Sequence, residues 1–589
     1  MASIDEKRHT LAHLLAAAVL RLYPDAKRAI GPTIDNGFYF DFEFPTGKPS
    51  ESDLPSIEKK MREILPSWTE IRGEKVSADK AREMFRDNSY KLELINEFAD
   101  RGDTLTVYHS EASSSQIAAS GYFDLCRGGH AENPAKEIAA DSFRLDRLAG
   151  AYWRGDEKNP MLTRIYGLAF DAKKELDAYL AQREEAKKRD HRKLGRELDL
   201  FTFSELVGAG LPLFTPRGTI LREEINNFSQ ALRLKRGFQK VWIPHITKKE
   251  LYETSGHWAK FGDELFLVKS QETSDELVMK PMNCPHHQQI YASQMRSYRD
   301  LPIKYLETTT IYRDEKAGEL LGLSRVRSIT QDDSHIFCTP EQLDQIYAEV
   351  LEVVKEFYSA IRMPLAIRLS FRDPKTPEKY LGDEKLWERA QHILTKTADE
   401  AGLEFFEAEG EAAFYGPKID FMATDSLGRQ WQVATAQLDF VQPVRFEITY
   451  IDKDGSAKTP IMIHFAVAGS LERFLSVYIE HTGGNFPLWL SPVGAIVLPI
   501  GEKHQKYAKE IFEKLKSAGI RAELDDSGES LGKKIRSAKE MKIPYLLVIG
   551  DEEVNNGTAT LESRDAGKIG ALLIEKIIEK LCEEISARK

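Results

Sequence analysis

Two groups of residues in this chain have the types and spacing that do chemistry. His9 and His13 stand four positions apart, which puts both imidazoles on one face of a helix. Far along the chain, Cys126 and His130 fall in DLCRGGH, a glycine-rich run that reads as a loop. Imidazoles and a thiol brought together suit hydrolysis, with a histidine or thiolate orienting water, or they suit metal binding. Helix histidines that merely cap a core are the plain alternative. The second group is TTTIYRDEKAGELLGLSRVRSITQDDSHIFC, Thr308 to Cys338, where Arg313 and Glu315 on a strand-like run precede a charged turn and then Arg325, Arg327, Gln331, Asp332 and Asp333. Arginines offered from a sheet suit phosphate, because a planar guanidinium grips it with paired hydrogen bonds. A surface ribbon of ion pairs competes with that reading.

Elements must hold these residues. Ser3 and Glu6 form a capping box ahead of an apolar-rich run from Ile4 to Leu22 that Pro24 closes, so His9 and His13 belong to a helix. GFYFDFEF (Gly37 to Phe44) and TLTVYH (Thr104 to His109) read as strands and SIEKKMREIL (Ser56 to Leu65) as a helix, which predicts an α+β domain to about Arg164. Residues 172–197 are dense in Ala, Glu, Lys and Arg and predict one exposed connecting helix. Thr215 and Pro216 give a cap and first turn; Leu221, Ile225, Phe228 and Leu232 then share a face until Gly237, and KVWIPHI follows as a strand. After about Leu490, AIVLPI, RAELDD and YLLVIG are short buried strands alternating with helices at Lys503 to Ser517 and Leu531 to Lys542, with a last helix from Ile569 to Ile585. That is a small α/β domain.

Bulk properties narrow the classes. A length of 589 residues with 42% hydrophobic content supports roughly three to four packed domains. The net charge of -11 argues against indiscriminate nucleic-acid binding, though not against local basic grooves. Four cysteines, Cys126, Cys284, Cys338 and Cys582, are too scattered for a disulfide framework. No apolar run approaches the roughly 18 residues of a membrane span, so a cytoplasmic protein without membrane partners is expected.

GFQKVWIPHI (Gly237 to Ile246), the Arg313 segment and HFAVAGSLERFLSVYIEHTGG (His464 to Gly484) come in the order of motifs one, two and three of class II aminoacyl-tRNA synthetases. SGHW, MKPMNCP, TQDDSHIFC, FYGPKIDF, WQVATAQLDF and FPLWLSP extend the resemblance to the threonyl-tRNA synthetase family, nearly end to end. It implies an α+β and α/β multidomain chain: editing domain 1–171, connecting helix 172–197, antiparallel-sheet catalytic domain 198–490 and α/β anticodon-binding domain 491–589. The small ubiquitin-like domain that usually precedes this point in bacterial members is expected to be lacking. A homodimer through the motif-one helix and the strand carrying Pro244 is implied.

The implied reaction joins threonine to tRNA(Thr) through threonyl-adenylate, using ATP with magnesium. Arg313 would hold the α-phosphate and Glu315 the adenine side; Arg473 would lie on the adenine ring and γ-phosphate, with Arg325 and Gln432 completing the nucleotide site. One zinc per subunit is implied on Cys284, His335 and His464. Threonine would bind there with Gln331, Asp333, Tyr415 and Gln437. His257 would assist proton removal from the ribose, and Lys418 would meet the RNA end. His9, His13, Cys126 and His130, with Tyr39, Lys91 and Asp124, resemble the site that hydrolyses mischarged seryl-tRNA; its bare ligand types leave metal binding open. Glu529, Lys533, Arg536 and Arg564 are the anticodon candidates.

Three departures from the family pattern stand out. Ser328 and Ile329 replace Gly and Phe, which removes a ring from the adenine side. His286 replaces Gly in MNCPHH, and Gly129 replaces Pro in CRGGH, which is expected to loosen that loop. An enzyme that makes an adenylate but acylates something other than RNA, and an inactive RNA-binding paralogue, are the rival readings. The carboxyl-terminal domain weighs against the first, and the retained Arg313, Arg473 and ligand trio against the second.

Overall fold

The computed structural model describes residues 2–111, 121–402 and 404–588 and divides into two compact units, 1–184 and 185–589. No helix among the described residues is long and apolar enough to cross a membrane.

In the first unit the helix Ile4–Leu22 begins at Ser3, whose hydroxyl accepts from the Glu6 N–H while the Glu6 carboxylate takes the Ser3 N–H. Leu11, Leu14, Leu15 and Val19 bury one face of it against Phe38, Phe40 and Phe42 of the strand Gly37–Glu43. That strand lies in an antiparallel sheet between Lys27–Arg28 and Met161–Ala169, with Phe143–Tyr152 beyond. A second sheet pairs Glu70–Lys75, Thr106–Glu111 and Tyr122–Leu125.

The second unit is built on an eight-stranded sheet, in the order Gln239–Lys240, Ile303–Tyr312, Ser328–Cys338, Ile461–Ser470, Gln430–Asp439, Lys418–Thr424, Leu365–Phe371 and Phe405–Glu409. Its middle pairs are antiparallel and both edge pairs parallel. Leu221, Ile225, Phe228 and Leu232 of the helix Pro216–Leu234, capped by the Thr215 hydroxyl, join one core with the helices Leu343–Ala360 and Leu471–Thr482. A five-stranded α/β sheet follows, ordered Ala522–Leu524, Ala495–Pro499, Tyr545–Ile549, Thr558–Ser563 and Gly567–Leu573.

Four expectations about elements are corrected. The connecting segment is two helices, Lys173–Arg189 and His191–Glu197, because Asp190 leaves helical geometry and caps the second through the Arg192 N–H. KVWIPHI is not a continuous strand: pairing stops at Lys240 and resumes at Ile246, since Pro244 has no N–H and the Ile243 N–H goes to the Glu307 carboxylate. Arg313 and Glu315 lie beyond their strand, which ends at Tyr312. The last helix starts at Ile574, because residues up to Leu573 pair as a strand with Thr558–Ser563.

Candidate functional site

Cys284 opens the helix Cys284–Ala292, while His335 and His464 are directly opposed on neighbouring antiparallel strands. All three are buried, and their ligand atoms lie within 4.8 Å of one another. His335 Nε2 is 3.0 Å from His464 Nδ1, and the outer nitrogens are occupied: His335 Nδ1 lies 2.8 Å from His287 Nδ1, and His464 Nε2 2.9 Å from Asp439. A carboxylate only accepts, so His464 carries its proton on Nε2 and turns a lone pair inward. Outer partners of this kind fix the tautomer of a ligating imidazole. One thiol and two imidazoles suit a borderline divalent ion with a position left open. Around them Asn283 Oδ1 and Gln437 Nε2 are buried with no hydrogen-bond partner among the described residues. Each such atom costs about 1–3 kcal/mol, which favours a polar ligand there.

A bulge between Asp332 and Ser334 gives two adjacent carboxylates different tasks. Asp332 is fully buried against Arg233 and accepts from Ser229 Oγ and the Ala468 N–H. Asp333 accepts from Asn283 Nδ2 at 3.0 Å, and burial pushes its carboxyl up. Tyr415 borders the trio: its ring is 5.2 Å from that of His464, its hydroxyl donates to Gln437, and burial pushes its pKa well up.

Beyond lies a cleft of about 580 Å³ lined by Arg313, Glu315, Arg325, Ile329, Gln331, Ser470 and Arg473. Arg325 bridges Glu315 at 2.7 Å and Glu319 at 2.5 Å. Arg473 has no acidic partner among the described residues, and desolvation lowers its pKa. Gln432 lines an adjoining groove that shares Ser470 and Arg473; its amide donates to Asp420 and its oxygen accepts from Arg368. Lys418 is paired with the same Asp420 at 2.8 Å. His257 is buried between the Phe414 and Tyr415 rings. Burial, then the charges of His464, Arg313 and Arg445, hold it down to about 3. The Ser255 hydroxyl donates to the Tyr252 carbonyl and therefore accepts from His257 Nδ1 at 2.7 Å, so the lone pair of His257 is on Nε2.

In the first unit Cys126 Sγ lies 3.4 Å from His9 Nε2 and 3.3 Å from His130 Nε2, with His13 packed edge-on against both histidines. The Gly129 carbonyl accepts from His9 Nδ1 at 3.2 Å, which leaves the His9 lone pair toward the thiol. Burial lowers the pKa of His9, His13 and His130, the last to about 3, and raises that of Cys126. Gly129 has φ +82, a conformation closed to proline. Behind the cluster Asp124 is buried with Lys91 at 2.8 Å and Arg28 at 3.3 Å. Burial pushes the Asp124 carboxyl up, but these two cations hold it below the usual range. Tyr39 packs instead on Arg164, 3.8 Å from its ring, and Tyr166, and it alternates along its strand with Phe40, the ring that faces Lys91.

Residues 266–482 match the class II core domain of tRNA synthetases (G, H, P, S and T), and residues 495–584 match an anticodon-binding domain. The threonine–tRNA ligase of Rubrobacter xylanophilus is 47% identical over 586 residues, 99% of this chain and 89% of that protein. That of Gloeobacter violaceus is 47% identical over 591 residues, covering 99% and 92%. The chain belongs to the threonine–tRNA ligase family. A crystal structure titled as the RNA binding domain of threonyl-tRNA synthetase from Cryptosporidium parvum superposes with a TM-score of 0.64 at 37% identity, over 67% of this chain and 98% of that one. A threonyl-tRNA synthetase structure from Aeropyrum pernix gives 0.60 at 28%, over 68% and 96%.

The four carboxyl-terminal candidates differ in freedom. Glu529 pairs with Lys533 along one helix, and Arg536 with Glu540. Arg564 gives its donors to the carbonyls of Phe486 and Lys542 and to Asp565, so it is a structural clamp. His287, Asp439, Asn283 and Arg28 were missed by sequence reasoning. MNCPHH and WQVATAQLDF contain the first three, but only the folded sheet reveals that His287 and Asp439 meet histidine nitrogens and Asn283 meets Asp333.

Proposed function

We propose that this enzyme activates threonine with magnesium-bound ATP to threonyl-adenylate, passes the threonyl group to the terminal ribose of tRNA(Thr), and hydrolyses serine misattached to that RNA at its amino-terminal cluster. The observation that carries the synthetic half is that one pair of antiparallel strands bears both sites: His335 faces His464 of the trio, and four residues earlier Gln331, paired with Ser470, lines the arginine-bearing cleft. An amino acid held at the trio has its carboxylate toward a nucleotide held in the cleft.

Arg313 grips the α-phosphate and stabilises the charge that grows as the carboxylate attacks it, while Arg473 covers the adenine and γ-phosphate. Glu315, Arg325 and Gln432 hold the base and ribose. Zinc bound by Cys284, His335 and His464 would supply an open position for the threonine hydroxyl that valine lacks. Asp333 takes the amino group; Gln331, Tyr415 and Gln437 close the pocket, and the bound amino acid offers an acceptor to the Gln437 amide left without a partner. His257, neutral at physiological pH, accepts the ribose proton at Nε2. Lys418 meets the RNA end.

Serine differs from threonine by one methyl group, worth about 1–3 kcal/mol of discrimination, so hydrolytic correction is needed. His9 with its inward lone pair orients water, and Cys126, His13 and His130 complete the pocket beside the Asp124–Lys91 pair. Tyr39 stacks on Arg164, across the strand from that pocket, and takes no part in the hydrolysis. Glu529, Lys533 and Arg536 contact the anticodon, with Arg564 bracing the domain. The subunits pair through the region around Pro244, where Trp242 and Ile246 are 79% and 45% exposed. Threonine-dependent exchange of pyrophosphate into ATP, charging of tRNA(Thr), and release of serine from seryl-tRNA(Thr) test the three activities separately. Loss of exchange alone rejects the synthetic reading.

A further inference from the structure

His191 joins three segments that the reaction does not otherwise explain. It opens the helix His191–Glu197 and is 3% exposed. Its Nδ1 lies 2.7 Å from Glu480, near the end of the helix Leu471–Thr482 whose first turn carries Arg473. A carboxylate accepts, so the proton is on Nδ1 and Nε2 presents a lone pair. That lone pair accepts the Leu323 N–H at 3.1 Å. Leu323 lies in the turn Leu321 to Arg325, and Leu321, Ser324 and Arg325 all line the cleft. Ser324 Oγ adds a bond of 2.9 Å to Ser476 on the same helix. The approach is so close that a Cβ on Gly322 would stand 2.2 Å from His191 Nε2. Asp190, His191 and Glu480 are near enough to hold a cation, but the His191 N–H and Arg429 already occupy the two Glu480 oxygens. The cluster is a joint between elements.

We propose that His191 is a positioning residue for ATP: it clamps the Leu321 to Arg325 turn to Glu480 and so holds one wall of the cleft in register with the helix bearing Arg473. This rests on reading the cleft as the nucleotide site. His191 itself does not face the cleft, so its effect is on how well the wall is held before ATP arrives.

The experiment compares His191→Asn with His191→Gln in the full chain, by pyrophosphate exchange and by hydrogen exchange at the Leu323 amide. Asn keeps an N–H near the Nδ1 position for Glu480 but falls short of Leu323; Gln carries a carbonyl oxygen near the Nε2 position. The Asn variant should raise the KM for ATP about 2- to 12-fold, the worth of one net hydrogen bond. It should leave the KM for threonine unchanged and expose the Leu323 amide, and Gln should restore both. Unchanged Leu323 protection in the Asn variant, or equal rises in both KM values, overturns the proposal. If the Asn variant does not fold, Ser476→Ala, which cuts the turn's other tie, must raise the ATP KM selectively, and no rise overturns it. Arg473→Ala separates the two readings: an unchanged ATP KM there rejects the nucleotide cleft itself, whereas a raised one beside a silent His191→Asn rejects only the clamp.

Discussion

His335 Nε2 and His464 Nδ1 stand 3.0 Å apart with lone pairs turned toward each other. The proton positions follow from the outer partners. Glu307 accepts from His287 Nε2 at 3.5 Å, so His287 Nδ1 is an acceptor and takes the His335 Nδ1 proton; Asp439 fixes His464 in the same sense. Burial holds His335 well below its ordinary pKa, which keeps its Nε2 unprotonated. A cation would fill the gap, because the Cys284 thiol lies within 4.8 Å of both imidazole nitrogens and could serve as a third ligand. Cys284→Ser should therefore purify without metal and without threonine-dependent exchange. Asp439→Asn should keep the fold while weakening metal binding about 10- to 100-fold, read as metal left after dialysis against a chelator. A metal-free Cys284→Ser protein with full exchange would reject the site.

Correction should be separable from synthesis. His9→Ala removes the nitrogen that faces Cys126 in the first unit, whereas the eight-stranded sheet belongs to the second. The variant is expected to charge threonine at the wild-type rate and to accumulate seryl-tRNA(Thr). Serine release at the wild-type rate would remove the histidine from the hydrolytic role.

What could be read ahead of the fold was local. Ser3 with Glu6, and Thr215 with Pro216, announce helix starts because a cap and the N–H from which it accepts lie within three residues of each other. The break at Asp190 hid in a run whose composition favours helix on both sides, and the strand Gly567–Leu573 hid because Ile569 through Leu573 continues into a truly helical apolar pattern at Ile574. Site geometry needed contacts between distant residues. The family resemblance points to Lys91 and Asp124, yet not to Arg28 as their third member, because nothing near it in the chain marks it as buried.

That buried group carries its own prediction. Lys91 and Asp124 are 3% and 1% exposed, and Arg28 lies on three aromatic rings while bonding the same carboxylate. Asp124→Asn leaves two cations facing each other in an apolar setting, and removing one partner of a buried pair costs about 3–5 kcal/mol. The urea transition of the first unit should move down accordingly, while pyrophosphate exchange persists. A shift below about 1 kcal/mol would mean that water reaches the pair.

The depressed pKa of His257 ties stability to pH in a defined direction. The folded imidazole titrates at about 3, whereas an unfolded histidine titrates near 6.5. Between these values the unfolded chain binds the proton that the folded one refuses, so stability rises with pH across this window, is fully present above about 6.5 and is lost as pH falls. From pH 6.5 to 5 this single residue contributes a loss of about 2 kcal/mol, at roughly 1.4 kcal/mol per pH unit. His257→Asn should therefore flatten the acid side of the urea-midpoint profile of the second unit relative to wild type. Because the ring stays neutral throughout, the acid limb of the charging rate should also lie well below pH 6; a limb near 6.5 that vanishes in His257→Asn would show the residue titrating as an exposed histidine and would undo its assignment as a buried neutral base.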